Sequence, residues 1–94
     1  MEFREYLKKA KDIEKNVPTT ESFSAGYAML WKGFPTLAVR VKGLLHKGWV
    51  YIQRDLENER YDVLLLDAKS KAIKEDIENI EEAMLSSTLL QLVG

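Results

Sequence analysis

The first apolar side chains of the chain recur every three or four residues. They are Phe3, Tyr6, Leu7, Ala10 and Ile13, with Val17 just beyond. This spacing places them on one stripe of a helix whose opposite side carries mostly charged residues. Because the residue before a proline avoids the helical conformation, Pro18 is expected to lie beyond the end of this element. The pattern predicts a helix over residues 2–16.

Residues 20–32 have a pattern that fits two kinds of element. Phe23, Tyr27, Leu30, Trp31 and Phe34 have helical spacing, whereas Phe23, Ala25, Tyr27, Met29 and Trp31 alternate as in a strand. The flanking residues favour a helix, since Thr19 or Thr20 can cap its start. The sequence Lys32-Gly33-Phe34-Pro35 is typical of a helix end, with glycine in the left-handed conformation and proline barring continuation. We therefore predict a second helix here.

From residue 36 to residue 67 the apolar spacing shortens to every second position. Leu37, Val39 and Val41 alternate with less apolar neighbours, and two further β-rich runs follow at residues 49–52 and 61–66. Alternation of this kind is typical of strands with one face in a core. Short polar segments separate the runs, so the sequence predicts a three-stranded antiparallel meander.

Two trial turns give this meander a register. A two-residue turn at Lys47-Gly48 places Leu45 opposite Val50, and a second turn at Glu57-Asn58 aligns the next two strands. The second turn predicts the pairs Asp55 with Arg60, Ile52 with Val63 and Val50 with Leu65. In both hairpins the apolar residues then share one side, which is what a half-buried sheet requires.

The other side of the predicted sheet is also apolar, because it carries Trp49, Tyr51, Leu64 and Leu66. A patch of that size is rarely left in water, so we expect something to cover it. The last segment is the candidate cover. Ile73, Ile77, Ile80 and Met84 follow a helical stripe, and residues 83–93 contain no charge. We predict a C-terminal helix, with a short fourth strand near residues 72–74 as an alternative start.

These patterns together predict one globular α+β domain over residues 1–94. It consists of a three-stranded antiparallel meander packed with three helices, in the order α-α-β-β-β-α. The predicted core contains Phe3, Leu7, Phe23, Tyr27, Leu30, Val39, Val41, Val50, Ile52, Val63, Leu65, Ile77 and Ile80.

Composition excludes several classes of function. The chain has 94 residues and no cysteine, which excludes a disulfide framework, a thiolate zinc site and a thiol nucleophile. Its first residues are charged, unlike the apolar region of a signal peptide, and no apolar run approaches the ~20 residues of a membrane helix. We expect a cytoplasmic protein with no membrane contact.

Charge is divided unevenly along the chain. Residues 1–47 carry nine Lys or Arg against five Asp or Glu, whereas residues 48–94 carry five against ten. The overall basic surface that is typical of nucleic-acid-binding domains is therefore missing. We interpret the asymmetry as attraction between the two halves, within one fold or across a dimer.

Candidate catalytic and ligand-binding motifs are weak. His46 lies beside a predicted turn, where we expect it to be exposed rather than catalytic. Residues 22–26, Ser-Phe-Ser-Ala-Gly, lack the first glycine and the preceding strand of a nucleophile elbow. The glycines form no phosphate-binding loop, and Glu75, Glu78 and Glu82 lack the spacing of a calcium loop. We predict no catalytic residues, no cofactor, no metal site and no enzymatic activity.

One hexapeptide resembles a known motif. Lys47-Gly48-Trp49-Val50-Tyr51-Ile52 is similar to the start of the first ribonucleoprotein motif of RNA-recognition domains. The resemblance implies that Trp49 and Tyr51 stack on bases and that Lys47 contacts phosphate. The sequence departs from the motif at Val50, where the family has Gly or Ala, and at Arg54, where it has an aromatic residue. The predicted order of elements also differs from that family's.

Two hypotheses of function follow. The first is a non-enzymatic interaction domain that binds a protein partner or a second copy of itself, through its C-terminal helix or the second sheet face. The second is a single-stranded nucleic-acid binder that uses the aromatic and basic sheet face. The candidate interaction residues are Arg40, Lys42, Trp49, Tyr51, Leu64, Leu89 and Leu92.

Overall fold

The computed structural model describes residues 2–94, which form two helices and five strands. Helix α1 spans Phe3–Asp12 and continues into a 3-10 turn at Ile13–Asn16. The strands are β1 (Tyr27–Trp31), β2 (Phe34–Lys42), β3 (Lys47–Asp55), β4 (Arg60–Asp67) and β5 (Ile73–Ile80), and helix α2 spans Glu82–Val93. The strands form one antiparallel sheet in the order β1-β2-β3-β4-β5. The α+β class is as predicted, but the three-stranded, three-helix architecture is wrong.

The segment predicted as a second helix forms strand β1 instead. Trp31 pairs with Phe34, and Tyr27 pairs with Ala38. Between the strands, Lys32 and Gly33 both have positive φ, of 51° and 81°. This is the two-residue hairpin turn whose twist matches that of the flanking strands. Glycine in the left-handed conformation serves both a helix end and a hairpin turn, so Gly33 could not distinguish the two.

The predicted turn at Lys47-Gly48 is also wrong. Val39, rather than Leu45, lies opposite Val50, and Gly43-Leu44-Leu45-His46 connects β2 to β3. The strand is displaced from its predicted register by six residues. Because six is an even number, each strand residue keeps its predicted face. Leu44 and Leu45 are not sheet residues, and both are exposed in the loop.

The register of the next hairpin is as predicted. Asp55 pairs with Arg60, Ile52 with Val63 and Val50 with Leu65. Asp55 also fixes the turn, since its carboxylate accepts hydrogen bonds from the backbone amides of Glu57 at 3.0 Å and Asn58 at 3.4 Å. Side chains of this type stabilise turns through local bonds to the backbone.

Residues 73–80 form strand β5 rather than the start of a helix or a short strand near 72–74. Ile77 lies opposite Val63 and Ile80 lies opposite Tyr61, with a register shift between the two pairs. Asn79 has a φ of 61° within this irregularity. A bulge adds a residue to one strand, so isoleucines three positions apart can both face the core. The bulge therefore gives the core-facing Ile77 and Ile80 a three-residue spacing, which is also typical of one face of a helix.

Both helices lie on the same face of the sheet and complete the main core there. This core contains Ile13, Leu37, Val39, Val41, Val50, Ile52, Tyr61, Val63, Leu65, Ile80, Leu85, Leu89 and Val93. Of the predicted core residues, Leu7, Phe23 and Ile77 are half-buried, and Phe3, Tyr27 and Leu30 are exposed. Phe3 is exposed because it lies in the first turn of α1, and Tyr27 and Leu30 are exposed because β1 is an edge strand. Within residues 2–94, neither helix is long and apolar enough to cross a bilayer.

Candidate interaction surface

The side of the sheet that faces away from both helices is called the open face here. Its side chains come from alternate positions of all five strands and include Tyr27, Met29, Trp31, Phe34, Thr36, Ala38, Arg40, Lys42, Lys47, Trp49, Tyr51, Gln53, Asp62, Leu64, Leu66, Ile73 and Asp76. A second apolar cluster forms on this face, and its members within residues 2–94 all belong to strands. The predicted helical cover is therefore wrong.

Four aromatic rings join β1 to β3 across the open face. The ring centroids of Tyr27 and Trp49 are 5.9 Å apart at 79°, and those of Trp31 and Tyr51 are 5.4 Å apart at 84°. Both pairs have the edge-to-face arrangement in which the positive edge of one ring meets the negative face of the other. The short edge strand β1 is thus held partly by its aromatic side chains.

Cationic side chains lie over both tryptophans. The guanidinium of Arg40 is 5.4 Å from the Trp49 ring centroid, and the Lys71 ammonium is 5.5 Å from it. The Lys32 ammonium is 4.6 Å from the Trp31 ring. A cation over a tryptophan face is attracted by the ring's quadrupole. These contacts favour the present orientations of both indole rings.

Burial varies steeply across the open face. Tyr51, Leu64 and Leu66 are only 5%, 4% and 2% exposed, and Met29, Trp31 and Trp49 pack against the cluster that they form. Burial, and then the nearby Tyr27 phenol, raises the pKa of Tyr51 above its ordinary value. Around them, Met29, Trp31 and Trp49 are half-buried, and Tyr27 is 46% exposed. The open face therefore has a buried apolar base formed by Tyr51, Leu64 and Leu66. The more accessible side chains of Tyr27, Trp31 and Trp49 with Met29 lie around this base and are called the aromatic layer.

Apart from Lys32 in the β1–β2 turn, charge on the open face is separated along the strand direction. Arg40, Lys42 and Lys47 lie at one end, and all three are exposed. Asp62 lies toward the other end of the sheet, and Asp76 lies beside Leu64 on the edge strand β5. The aromatic layer separates this basic end from the acidic positions.

The structure brings together five of the seven predicted interaction residues. Arg40, Lys42, Trp49, Tyr51 and Leu64 share the open face. Leu89 is fully buried and Leu92 is half-buried, both in the main core on the opposite side of the sheet. Helix α2 packs against its own sheet, and this separates the two leucines from the other five residues.

Sequence reasoning missed the contribution of β1 to this surface. Tyr27, Met29 and Trp31 were assigned to a helix. Their large apolar side chains at every second position were compatible with a strand, but the intervening Ala28 and Leu30 are apolar as well, so the pattern did not decide between the two. With them, the surface gains two aromatic rings and a flexible methionine.

The single histidine takes no part in the open face. His46 is 4% exposed rather than exposed as expected, and its Nε2 donates to the Trp49 carbonyl at 3.1 Å. The imidazole therefore serves to join the β2–β3 loop to β3. Among residues 2–94, no three acidic or histidine side chains converge as metal ligands.

Comparison with family models, curated proteins and solved structures finds no match to this chain. The hexapeptide that resembles a ribonucleoprotein motif begins β3, and its Lys47, Trp49 and Tyr51 all belong to the open face. Inference about function thus depends on the chemistry of this surface.

Proposed function

We propose that this chain is a non-enzymatic, cytoplasmic protein-interaction domain that pairs with a second copy of itself through the open face. The observation that carries the proposal is the accessible aromatic layer formed by Tyr27, Trp31 and Trp49 with Met29. Tryptophan, tyrosine, methionine and arginine are the residues enriched in the centres of protein interfaces. The edge-to-face contacts supply rigidity, so little side-chain entropy is lost when the layer is covered.

Charge complementarity favours a second copy as the partner. Lys42 and Lys47 lie at one end of β2 and β3, and Asp62 and Asp76 lie diagonally across the sheet on β4 and β5. A two-fold axis in the interface, oblique to the strands, therefore places the basic end of one copy over the acidic positions of the second copy. The same contacts form twice, and the aromatic layers meet in the middle.

A second candidate is single-stranded nucleic acid. The observation that favours it is the position of Trp49 beneath Arg40 and Lys71, with Lys42 and Lys47 nearby on the same end of the sheet. Aromatic rings flanked by cations bind bases and phosphates without sequence preference. Such binding weakens steeply with salt, which separates it from apolar pairing.

Sedimentation equilibrium up to about 1 mM protein tests the proposal, since weak homodimers populate at that concentration. We expect the wild type to dimerise and the Lys42→Glu and Asp76→Lys variants to dimerise more weakly, because each creates like-charge contacts across the axis. The double variant carrying both changes is expected to recover, since it restores opposite charges. Lys8→Glu makes the same charge change on the helical side of the molecule and is the matched control.

Each outcome decides the question. A wild type that remains monomeric overturns self-pairing, and tryptophan quenching by a 15-mer of thymidine at low salt would then support the nucleic-acid alternative. A dimer that is unaffected by Lys42→Glu, Asp76→Lys and their combination would place the interface elsewhere.

A further inference from the structure

The two edges of the sheet differ sharply in how they are protected. Strand β5 is an edge with two register irregularities, a left-handed residue at Asn79 and exposed charges at Lys74, Glu75 and Glu78. Bulges and charges are the usual means by which a sheet edge avoids pairing with other chains. Strand β1 at the other edge, Tyr-Ala-Met-Leu-Trp, is in register along all five residues and contains no charge. Of the two edge strands, β1 is therefore the one whose outer backbone N–H and C=O groups can pair with a further strand.

A cleft runs beside this edge on the helical side of the sheet. It has a volume of about 600 Å³ and lies between α1 and β1, with Leu7 and Ala28 as its apolar lining. Leu30 continues the same side of β1 and is 39% exposed. The cleft therefore offers apolar contacts to side chains that point toward the helical side from a strand added to β1.

The charged residues that line the cleft are mainly basic. Arg4, Lys8 and Lys11 contribute three cations, and Glu5 contributes one acid. The Lys11 ammonium already pairs with Glu14 at 3.1 Å. Arg4 and Lys8 are therefore the cations of the cleft that are best placed to pair with an acidic ligand. A glutamate side chain fits this chemistry, since its methylene groups can lie on Leu7 and Ala28 while its carboxylate meets the cations.

On the other side of β1, the neighbouring side chains are those of the aromatic layer. Tyr27, Met29 and Trp31 point to the open face, so side chains that point the same way from an added strand meet apolar neighbours. Successive side chains of a strand alternate between the two sides. A complementary strand therefore alternates acidic and apolar residues.

We propose that β1 binds an extended segment of a partner protein as a sixth strand, and that this segment alternates acidic with apolar residues. Backbone hydrogen bonds to β1 supply affinity, and the cleft and the aromatic layer select the side chains. This proposal differs from the open-face pairing because it uses the outer edge of β1 and the cations of α1, and it shares only the side chains of Tyr27, Met29 and Trp31 with that surface.

A second copy of the chain is a poor occupant of this edge. Pairing β1 with β1 of another copy about a two-fold axis brings the two α1 helices side by side, with Arg4 and Lys8 of each facing the same cations of the other. Pairing β1 with the acidic β5 of another copy meets the bulges of that strand, and a head-to-tail contact of this kind would continue into a fibre. A separate acidic segment avoids both problems.

The probe is a blocked heptapeptide that alternates glutamate and valine, titrated against the full chain by NMR. We expect binding to slow hydrogen exchange by at least about tenfold at the outward-pointing amides of Tyr27–Trp31, because these amides gain acceptors. A heptapeptide that alternates lysine and valine is expected to bind much more weakly. N-methylation of alternate residues on the bonding edge of the glutamate peptide should abolish binding, because it removes the donors that pair with β1.

The variants Arg4→Glu and Lys8→Glu are each expected to weaken binding about fivefold, as reversal of a partly exposed ion pair does. Both positions are exposed on α1, so the fold is retained. Lys42→Glu is the matched control and should leave peptide affinity unchanged even if it abolishes self-pairing, so failure of either proposal is recognised separately. Equal affinity for the lysine and glutamate peptides, binding without protection of the β1 amides, or no binding would each overturn the proposal.

Discussion

The backbone amide of Leu45 donates a hydrogen bond to the carbonyl oxygen of Val93 at 3.0 Å. The amide of His46 points to the same oxygen at 3.4 Å. The last carbonyls of a helix have no partners within the helix, so they need donors from elsewhere. The β2–β3 loop supplies these donors, and the end of α2 is thereby attached to the sheet. This explains why Leu44 and Leu45 remain in a loop with their side chains in solvent.

The first prediction concerns Gly43 at the start of this loop. A Cβ atom at this position would overlap the carbonyl oxygen of Val93, so Gly43→Ala must displace either the loop or the end of α2. We expect the free energy of unfolding to fall by about 2 kcal/mol or more, as in other overpacked sites. Urea unfolding followed by circular dichroism measures this change.

Gly33→Asn is the control for this measurement. Gly33 has open space around it and a φ of 81°, which asparagine tolerates better than most residues. We expect a loss below about 1 kcal/mol for this variant. An equal loss at both glycines would contradict the close contact at Gly43.

The second prediction concerns Asp67, which ends β4. Its carboxylate accepts hydrogen bonds from the backbone amides of Ser70 and Lys69, both at 3.0 Å, and from the Ser70 hydroxyl at 3.1 Å. These bonds, those to the Ser70 amide first, lower the pKa of Asp67 below its ordinary value of 3.8. The ionised form therefore stabilises the turn between β4 and β5.

The pH dependence follows from the direction of this shift. Because folding lowers the pKa, the stabilisation is fully present above the unfolded-state value and is lost as the pH falls through the folded-state value. Asp67→Ala should lower the Tm near pH 7, and this difference should shrink as the pH falls through the folded-state pKa and the wild-type carboxylate becomes protonated. A Tm difference that stays constant or grows on acidification, measured by thermal unfolding, would contradict the role of the charge.

How far the sequence could predict this fold is shown best by the sheet. The β3–β4 register was predictable because Asp55 itself supplies the hydrogen bonds that form its four-residue turn. The β2–β3 register was not, because the four-residue loop at 43–46 depends on the end of α2, nearly 50 residues away. Faces were predicted correctly where registers were not, since an even displacement keeps each side chain on its side.

Strand β1 was predicted as a helix for a different reason. Both of its sides are apolar, with Tyr27, Met29 and Trp31 on one and Ala28 and Leu30 on the other. A strand of this kind has no polar alternation and cannot be distinguished from a buried helix by periodicity. The decision depended on Gly33, whose positive φ is compatible with both elements.

The candidate surface was predictable only in part. Trp49, Tyr51 and Leu64 were recognised because they alternate with core residues on strands whose facing was correct. Their aromatic partners on β1 depended on an element that was misassigned. Leu89 was included because an uncharged segment fits a core and an interface equally well, and only three-dimensional packing distinguishes the two.

The last prediction tests whether α2 packs on its own sheet. Leu89 is fully buried in the main core, whereas its neighbour Leu90 is 42% exposed. Leu89→Ala is expected to cost about 2 to 5 kcal/mol, the range for a buried leucine that leaves a cavity. Leu90→Ala is expected to lower the free energy of unfolding by less than about 1 kcal/mol, because a large part of the Leu90 side chain is in contact with solvent. Urea unfolding of both variants and the wild type at two protein concentrations, about a hundredfold apart, measures these differences.

Concentration distinguishes packing within one chain from packing between chains. If Leu89 contacts its own sheet, the difference between Leu89→Ala and the wild type is the same at both concentrations, because the lost contacts belong to one molecule. Pairing through the open face shifts the stability of both proteins alike and cancels in the difference. If Leu89 were buried against a second chain, the difference would grow with concentration as association stabilised only the wild type.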